Sequence, residues 1–368
     1  MVLLAQVPPP VHGQSVMQSH LVAARWEWCR KVHVPLDFSS ALEDVGKLHP
    51  AKLLRLIRIV WRVWKERLRG PVDVLFYPPC GPRRVPFWRD IVVLLCVRWT
   101  ARRLVLHFHA GGFDLLGEML TPPERLLARA AYGKADAAVV LLPSLKGEVD
   151  WIRPRRVQVV PNGIPDEALP VRGRADPPVI LSVGTLSEGK GTIRLLEACR
   201  ILRSRGVRCA ARIAGAPASP AFGALLERER RRLRLEDSVS LVGPTGGSAK
   251  QAEYAGSSVF CFPSTDTENL PVVLLEAMRA GLPVVACRWR ALGDVVAHGE
   301  TGLLCDPRDP TSLASALETL LLDADLRERM GRHGRALFEQ RYTLGTHLCA
   351  MEEVFRSAAS ARGMDRNR

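Results

Sequence analysis

The chain has 368 residues, of which 47% are hydrophobic and 24% are charged. This length predicts about two domains with substantial cores, and the composition excludes a disordered or collagen-like chain. The net charge is +14, but 44 of the 52 basic residues are arginine, a bias that often follows genomic base composition. Because aromatic residues are only 6% and do not interleave with the arginines on any strand, we expect no nucleic-acid partner.

The apolar runs are short. The longest, Ile91–Val97, is far below the roughly 18 residues that a membrane-spanning helix needs. The N-terminal apolar stretch ends at three prolines and is too short for a signal peptide, so we expect a cytoplasmic protein. The nine cysteines have neither CxxC pairs nor Cys/His ligand spacing, which argues against a disulfide scaffold and a zinc site.

Short apolar runs that predict buried strands alternate with helical patterns. The predicted strands are Val72–Tyr77, Leu104–Phe108, Ala137–Leu142, Val157–Val160, Val179–Val183, Ala210–Ala214, Val239–Val242, Val259–Phe262 and Val284–Cys287. The predicted helices include Thr192–Ser204, Ala221–Leu235 and Leu274–Ala280. This alternation predicts an α/β fold with parallel sheets covered by helices on both faces.

The stretch Pro161–Pro178 is rich in Pro, Gly and charge, and predicts a linker. We expect a Rossmann-like domain over residues 1–165, a linker over 166–178 and a second Rossmann-like domain over 179–345. Residues 346–368 then form a helix that packs back towards the first domain, and a tail. Tandem domains of this kind usually bind ligand in a central cleft, at the carboxyl ends of their strands.

Two stretches of the first domain carry polar groups at strand ends. The N-terminus continues into PPPVHGQS, where backbone N–H groups near His12 and Gly13 could hold an anion at a helix start. The sequence LVLHFHAGG places His107 and His109 at the end of a strand, and we expect them to point to opposite faces. An ordinary strand–helix turn and a satisfied core histidine are the alternatives.

The sequence VILSVGTLSEGKGT is close to a nucleoside-triphosphate loop, with Gly184 followed after four residues by Gly189 and Lys190. The next residue should carry a hydroxyl for magnesium, but it is Gly191, so we expect that a change of Gly191 to Ser matters little. Lys190 beside a glycine turn still suits a diphosphate, with a solvated loop lysine as the alternative.

The sequence FCFPSTDTENLPVVLLEAM is the most informative segment. A strand leads into a polar loop closed by Glu268, and Glu276 lies in the apolar helix that follows. The two carboxylates are seven residues apart in ENLPVVLLE, about two helical turns if the helix reaches both. A carboxylate in so apolar a helix needs partners. A salt bridge and the hydroxyls of a ribose are the two alternatives for Glu276.

With these motifs, the sequence resembles the retaining nucleotide-sugar glycosyltransferases of family 4, which have the GT-B fold. The resemblance also includes PNGI at Pro161–Ile164 and GETGLLCDP at Gly299–Pro307. It implies a nucleotide-diphosphate sugar as donor, either UDP- or GDP-linked, and a glycan or lipid-linked acceptor in cell-envelope or extracellular polysaccharide biosynthesis.

The resemblance also implies roles for residues. The catalytic residues would be His109 and Glu268, and the donor-binding residues would be Gly13, Lys190, Asn269, Leu270, Pro271 and Glu276. Glu276 would hold the ribose hydroxyls, Lys190 would neutralise the diphosphate, and Glu268 would lie near the transferred sugar. Gly13 would let the backbone approach the diphosphate, and His109 would lie on the acceptor side.

The sequence departs from the family where Thr185 replaces a common arginine and where His12 replaces a glycine. The implied chemistry is a front-face reaction in which the leaving diphosphate takes the acceptor proton, with no metal and no cofactor. The motif at Asp323 and Asp325 is expected on a solvated surface helix. A loop-based NTPase and a non-catalytic nucleotide-sugar-binding homologue are the alternative functions.

The segment Ala51–Arg69 holds seven basic residues and one acidic residue. Five of the basic residues, Arg55, Arg58, Arg62, Lys65 and Arg69, recur at helical spacing. Two interpretations stay open: a sheet-covering helix with a basic solvent face, and a helix that lies on an anionic membrane beside a lipid-linked acceptor. The second would place the protein at the inner face of the cytoplasmic membrane.

Overall fold

The computed structural model describes residues 1–9, 13–36, 50–168 and 175–360, with only the backbone described at 50–53. The chain divides into two compact units. Unit 1 comprises Met1–Gly163 and the residues from Gly345 onward, and unit 2 comprises Ile164–Leu344. Within the described ranges, no helix combines the length and the apolar character that a membrane crossing requires.

Unit 1 is built on a six-stranded parallel sheet. Its strands are β1 (Val2–Ala5), β2 (Val32–Pro35), β3 (Val72–Tyr77), β4 (Ala101–Phe108), β5 (Ala137–Val140) and β6 (Val157–Val159). Its first helices are α1 (Gly13–Ala23), α2 (Pro50–Arg69), α3 (Arg84–Val97), α4 (Phe113–Met119) and α5 (Pro122–Tyr132), with 3₁₀ segments at Arg98–Thr100 and Pro143–Ile152. The strand order is β2-β1-β3-β4-β5-β6, so the order reverses between β1 and β3.

Unit 2 repeats this architecture. Its strands are β7 (Val179–Val183), β8 (Ala210–Ala214), β9 (Val239–Gly243), β10 (Val259–Phe262), β11 (Val284–Cys287) and β12 (Gly302–Cys305). Its helices are α6 (Thr192–Ser204), α7 (Pro220–Arg232), α8 (Gly247–Ala255), α9 (Val272–Arg279), α10 (Leu292–Val295), α11 (Pro310–Leu322) and α12 (Ala324–Arg341). The strand order is β12-β11-β10-β7-β8-β9, all parallel.

The order of strands in unit 2 determines where a ligand site can form. The sheet grows outwards in both directions from the pair β7 and β10, so this pair is its topological switch point. Open parallel sheets bind ligands beyond the carboxyl ends of the strands at such a point, because the connecting helices diverge to opposite faces there. A ligand site is therefore expected at the loops that follow β7 and β10.

The last helix, α13 (Leu344–Ser360), packs into the core of unit 1. Its buried side chains Met351, Val354 and Phe355 join a cluster that includes Leu3 on β1 and Phe76 on β3. The rings of Phe355 and Phe76 meet edge to face with centroids 5.7 Å apart. The end of the described chain thus contributes to the domain in which the chain begins.

The prediction of an α/β fold with two parallel sheets is confirmed, and several strands have the predicted bounds. The strands β2 and β12, each of four residues, were missed. In β2 the apolar pattern is interrupted by a histidine and a proline, and in β12 it begins with a glycine whose Cβ would lie 2.0 Å from the carbonyl oxygen of Val284. This glycine allows the two strands to approach closely, whereas sequence propensity associates a glycine with a turn.

Candidate active site

The two loops at the switch point of unit 2 lie in direct contact. The turn Gly184–Gly191 follows β7, and the loop Pro263–Pro271 follows β10. A Cβ at Gly189 would lie 1.9 Å from Asp266 Oδ1, and a Cβ at Gly191 would lie 2.1 Å from the carbonyl oxygen of Pro263. Gly191 also has φ of +74°, a conformation that favours glycine. These glycines are required because the loops nest against each other.

Hydrogen bonds fix the nested loops. The Thr265 N–H donates to the carbonyl oxygen of Gly189 at 2.8 Å. Arg194, on the first turn of α6, donates from Nη1 to the carbonyl oxygen of Pro263 at 2.6 Å. The geometry also corrects the expectation about Gly191, because a serine there would clash with Pro263 and adopt a strained backbone.

Lys190 and Glu268 meet across this contact. The Lys190 Nζ forms an ion pair and a short hydrogen bond with Glu268 Oε1. The Ser264 hydroxyl donates to the same oxygen at 2.8 Å, and Lys190 Nζ lies 5.8 Å from the centroid of the Phe262 ring. The Lys190 side chain is 30% exposed and the Glu268 side chain 13% exposed, so the ammonium is positioned yet reachable from solvent.

The spacing between the two carboxylates does not run along one helix. Helix α9 begins at Val272, after Pro271 as N-cap, so Glu268 lies in the loop and only Glu276 is helical. Asn269 and Leu270, which separate Glu268 from Pro271, are buried. No hydrogen-bond partner for Asn269 Oδ1 is present among the described residues. The part of the loop between Glu268 and α9 is therefore anchored by buried side chains.

Glu276 has two partners on helix α8. Its Oε1 accepts from Lys250 Nζ at 2.6 Å, and its Oε2 accepts from the Tyr254 hydroxyl at 2.8 Å. Lys250 and Tyr254 are four residues apart, so they share one face of α8. Burial, and then the Glu276 carboxylate, hold the pKa of Tyr254 well above its usual value, so its hydroxyl stays a donor. A salt bridge therefore does hold the carboxylate of Glu276.

In unit 1, Gly13 is the first residue of α1 and is exposed, whereas His12 lies outside the described residues. The expectation for His107 and His109 was wrong. Residues two apart in a strand point to the same face, and the two rings lie 4.0 Å apart between centroids. His107 is fully buried, and His109 is partly exposed just after the end of β4.

The Gly-Gly turn after β4 already holds a carboxylate. The N–H groups of Gly112 and Phe113, at the start of α4, donate to Glu148 Oε2 at 2.9 and 3.1 Å. Glu148 is itself buried, and its carboxylate stabilises the positive N-terminal end of α4.

A third histidine completes the cluster. His347 on α13 is 1% exposed, and its ring centroid lies 6.2 Å from that of His107. The His347 Nδ1 is 2.7 Å from the carbonyl oxygen of Pro161. Burial lowers the pKa of His347 to about 4, and burial with the neighbouring histidines lowers the pKa of His107 well below its usual value.

The aspartates of the Asp323–Asp325 motif belong to the start of α12. Asp323 is the N-cap of that helix, and its Oδ1 accepts from the Leu326 N–H at 2.8 Å. Capping thus explains this carboxylate. Within the described ranges, no three His, Cys, Asp or Glu side chains are grouped as metal ligands.

Sequence reasoning missed Lys250, Tyr254, Ser264 and Arg194. A signal was available for Lys250, since the chain has only eight lysines and two of them, Lys190 and Lys250, pair with the carboxylates of the ENLPVVLLE segment. A lysine kept in an arginine-dominated sequence indicates a position where a compact ammonium is needed.

Comparison with known structures places this geometry in context. Anabaena HepE in complex with UDP aligns with a TM-score of 0.76 and 19% identity, over 97% of this chain and 99% of that one. A sucrose-phosphate synthase from Thermosynechococcus elongatus aligns with a TM-score of 0.74 and 18% identity, over 97% and 98%. The two-domain α/β architecture is therefore the GT-B fold.

The match to a family model lies within unit 2. Residues 167–337 match the family model described as Glycosyl transferases group 1. The putative colanic acid biosynthesis glycosyltransferase WcaL of Escherichia coli is 34% identical over 163 residues, 42% of this chain and 39% of that protein. A D-inositol 3-phosphate glycosyltransferase of Corynebacterium glutamicum is 35% identical over 42% of this chain and 37% of that protein. The matched part thus spans well under half of these relatives.

The part of unit 2 that matches the group 1 glycosyltransferase model contains the nested loops, both lysine–carboxylate pairs and the switch point. The predicted resemblance to glycosyltransferases of GT-B fold is confirmed.

Changing Gly191 to Ala should disrupt the nested loops, because the new methyl group would meet the backbone carbonyl group of Pro263. We expect a loss of about 1–3 kcal/mol of unfolding free energy for overpacking, measured by denaturant titration. Gly243→Ala is the matched control, since Gly243 has a similar φ of +78° and a Cβ there meets nothing within 4 Å. Equal stability of the two variants would show that the loops are not in contact.

Acid should destabilise unit 1 through His347. Its folded pKa of about 4 lies below the unfolded value of 6.5, so stability is complete above pH 6.5 and is lost as the pH falls towards 4. For His347 alone, we expect a loss of about 2 kcal/mol between pH 7 and pH 5. Tryptophan fluorescence can follow this unfolding, because seven of the eight tryptophans lie in unit 1.

The variant His347→Gln should lose less stability between these pH values, and His333→Gln, at an exposed position on α12, should behave as wild type. An unchanged pH dependence in His347→Gln would contradict this assignment.

Proposed function

We propose that the protein is a retaining glycosyltransferase of family 4. In this proposal it transfers a sugar from a UDP- or GDP-sugar to a hydroxyl of a glycan or lipid-linked acceptor, in cell-envelope or extracellular polysaccharide biosynthesis. The names of the relatives support this class of product: WcaL is described as a colanic acid enzyme, and a Mycobacterium tuberculosis relative, 29% identical over half of this chain, as a GDP-mannose-dependent mannosyltransferase.

One observation carries the proposal. In the unit that matches the family, each of the two carboxylates of the ENLPVVLLE segment is paired with one of the chain's few lysines, at the switch point of a parallel sheet. Ion pairs that are solely structural are more often placed on the surface, where they contribute little. Here both pairs are mostly buried, and Lys190 lies just before the start of α6, where a diphosphate is favoured.

The Lys190–Glu268 pair suits an exchange of partners. The Lys190 side chain is partly exposed, so a diphosphate, with more charge than one carboxylate, can compete for its ammonium. Release of Lys190 frees an oxygen of Glu268 to accept a hydroxyl of the transferred sugar, while Ser264 still holds the carboxylate in place. The N–H groups at the starts of α6 and α9 add partial positive charge for the same diphosphate.

Glu276 is proposed to bind the ribose. Its carboxylate is held on both oxygens by Lys250 and Tyr254, and each oxygen retains a second lone pair that can accept a ribose hydroxyl. The two partners on α8 thereby orient the acceptor oxygens before the nucleotide arrives, which lowers the entropy lost on binding.

The proposed chemistry is a front-face substitution. The bond between the anomeric carbon and the diphosphate oxygen breaks, the acceptor oxygen bonds to that carbon on the same face, and the acceptor proton passes to the departing diphosphate. Lys190 would stabilise the growing negative charge on the leaving group, which is the largest electrostatic contribution the loop can make. His109, just after the end of β4, is proposed to lie on the acceptor side, and Gly13 is proposed to allow close backbone approach to the diphosphate.

An NTPase built on the same turn is the second candidate, and the geometry disfavours it. The position that would supply a magnesium-binding hydroxyl is Gly191, where the contact with Pro263 leaves no room for a side chain. A homologue that binds nucleotide-sugar without turnover differs from the enzyme only in reactivity, so turnover decides between them.

Changing Glu276 to Gln should weaken the binding of UDP or GDP by about 1–3 kcal/mol, since charged hydrogen bonds to the ribose hydroxyls are lost. Calorimetry with the 2′,3′-dideoxy nucleotide gives the internal control, because a ligand without the diol should bind both proteins equally. Glu300→Gln, at an exposed position in unit 2, should bind UDP as wild type. An equal loss of affinity for the nucleotide and for its dideoxy analogue would show that Glu276 does not bind the ribose hydroxyls.

Turnover tests the function itself. Incubation with a panel of UDP- and GDP-sugars and lipid-linked or glycan acceptors should release free nucleotide, and the product should keep the anomeric configuration of the donor by NMR. We expect activity to survive EDTA and to fall by at least about 100-fold in Lys190→Gln, with Lys146→Gln as the control. Release of phosphate from ATP without any sugar transfer, or activity that needs added magnesium, would contradict the proposal.

A further inference from the structure

Exposed hydrophobic side chains are concentrated on one part of unit 1. Of the fourteen large hydrophobic side chains that are exposed in the described part of the chain, thirteen lie in unit 1 between Leu54 and Leu127, and one, Leu322, lies in unit 2. Scattered single exposures are normal for a soluble domain, but a contiguous concentration of them marks an interaction surface.

Helix α2 carries the densest group. Its exposed apolar side chains recur at spacings of three and four residues: Leu54 at 67% exposed, Ile57 at 55%, Trp61 at 60%, Trp64 at 42% and Leu68 at 74%. These spacings place them in one stripe along the helix. The stripe is not the face that covers the sheet, because that face is formed by the buried residues Ile59 and Val63.

Each residue of the apolar stripe is followed by a basic residue. The resulting dipeptides are Leu54-Arg55, Ile57-Arg58, Trp61-Arg62, Trp64-Lys65 and Leu68-Arg69. One residue is about 100° around the helix axis, so a basic stripe runs parallel to the apolar stripe and beside it. The exposed positions of α2 whose side chains are described comprise five apolar and five basic residues and no acidic one.

The one acidic residue of α2 does not disturb this surface. Glu66 is 12% exposed at its side chain, and it is paired with Arg69 at 2.5 Å and Arg30 at 3.3 Å. Its carboxylate is therefore mostly buried and offsets the charge of Arg69, while Arg58, Arg62 and Lys65 keep the basic stripe positive.

The surface continues onto helix α3 and the 3₁₀ segment after it. Val85, Trp88 and Val92 form a second exposed stripe at spacings of three and four, and Trp99 is 71% exposed. The two helices are joined at the surface, because Trp64 Nε1 donates to the carbonyl oxygen of Cys96 at 3.0 Å. We call the exposed side chains of α2, together with Trp88 and Trp99, the amphipathic face.

We propose that the amphipathic face binds the surface of an anionic lipid bilayer, with α2 lying in the plane of the interface. Three properties favour lipid as the occupant. The basic stripe without exposed acid complements anionic headgroups. The adjacent apolar stripe matches the shallow acyl boundary into which interfacial helices insert. Tryptophans are the side chains that prefer this boundary.

A second copy of the chain is the competing occupant, because the spacing of the apolar stripe also suits helix pairing. Two copies joined along α2 would bring two basic stripes close together, and like charges at that distance repel. A bilayer has no such penalty, so the charges favour lipid.

Sedimentation with vesicles tests the proposal with the whole protein. Wild type should bind vesicles of phosphatidylcholine and phosphatidylglycerol and should not bind phosphatidylcholine vesicles. Arg58→Gln with Arg62→Gln should lower the partition coefficient about 25-fold, or about fivefold per charge. Trp61→Ser with Leu68→Ser should lower it about tenfold or more. Trp64 is left unchanged because it also bonds to α3, and Arg55 is left unchanged because it is only partly exposed.

Matched variants in unit 2 control for charge and hydrophobicity. Arg228→Gln with Arg329→Gln and, separately, Leu322→Ser change exposed side chains of the same kinds and should bind the vesicles as wild type. Far-UV circular dichroism and UDP affinity should be unchanged in all variants. The test measures lipid partition and needs no turnover, so its result is independent of the proposed transfer reaction.

Two results would overturn the proposal. The first is wild-type protein that stays in the supernatant with phosphatidylglycerol vesicles at low salt. The second is a stable dimer, measured by light scattering, that Trp61→Ser with Leu68→Ser converts to a monomer, since that result would assign the face to a second copy.

Discussion

The close approach of two loops at the switch point of unit 2 is the constraint on which the site depends. Gly189 and Gly191 bring the turn after β7 against the loop after β10. A Cβ at Gly191 would meet the backbone of Pro263, and a Cβ at Gly189 would displace the Asp266 side chain. That approach carries Lys190 to Glu268. The glycines of the turn therefore serve a different purpose from those of a nucleoside-triphosphate loop. They admit a neighbouring loop of the same domain, and the lysine between them is positioned by a carboxylate.

The use of lysine rather than arginine at both carboxylates has a physical consequence. An arginine fork binds a carboxylate in a bidentate manner and gives it up reluctantly, whereas a lysine is a compact charge on a flexible stem. Lys190 can therefore change partners when an anion of higher charge arrives. Lys250 has a different setting, since Tyr254 shares its carboxylate and both come from one face of α8. The first pair suits exchange and the second suits fixed orientation.

The sequence predicted the parallel sheets, many strand bounds and the pairing need of Glu276, because these follow from apolar periodicity and from the cost of burying charge. It could not predict the partners Lys250 and Tyr254, since these depend on how α8 packs against α9. The interpretation of the sequence placed His107 and His109 on opposite faces, although residues two apart in a strand lie on the same face. It identified the basic stripe of α2, but the exposed apolar stripe beside it became visible only when Ile59 and Val63 proved to face the sheet.

The central claim is that Lys190 recognises the diphosphate of the donor. Calorimetric titration of UDP and UMP against wild type, Lys190→Gln and Lys250→Gln tests it directly. The account predicts that wild type prefers UDP, that Lys190→Gln loses most of this preference while its UMP affinity stays the same, and that Lys250→Gln weakens both nucleotides alike. An undiminished preference for UDP in a folded Lys190→Gln variant would contradict the account.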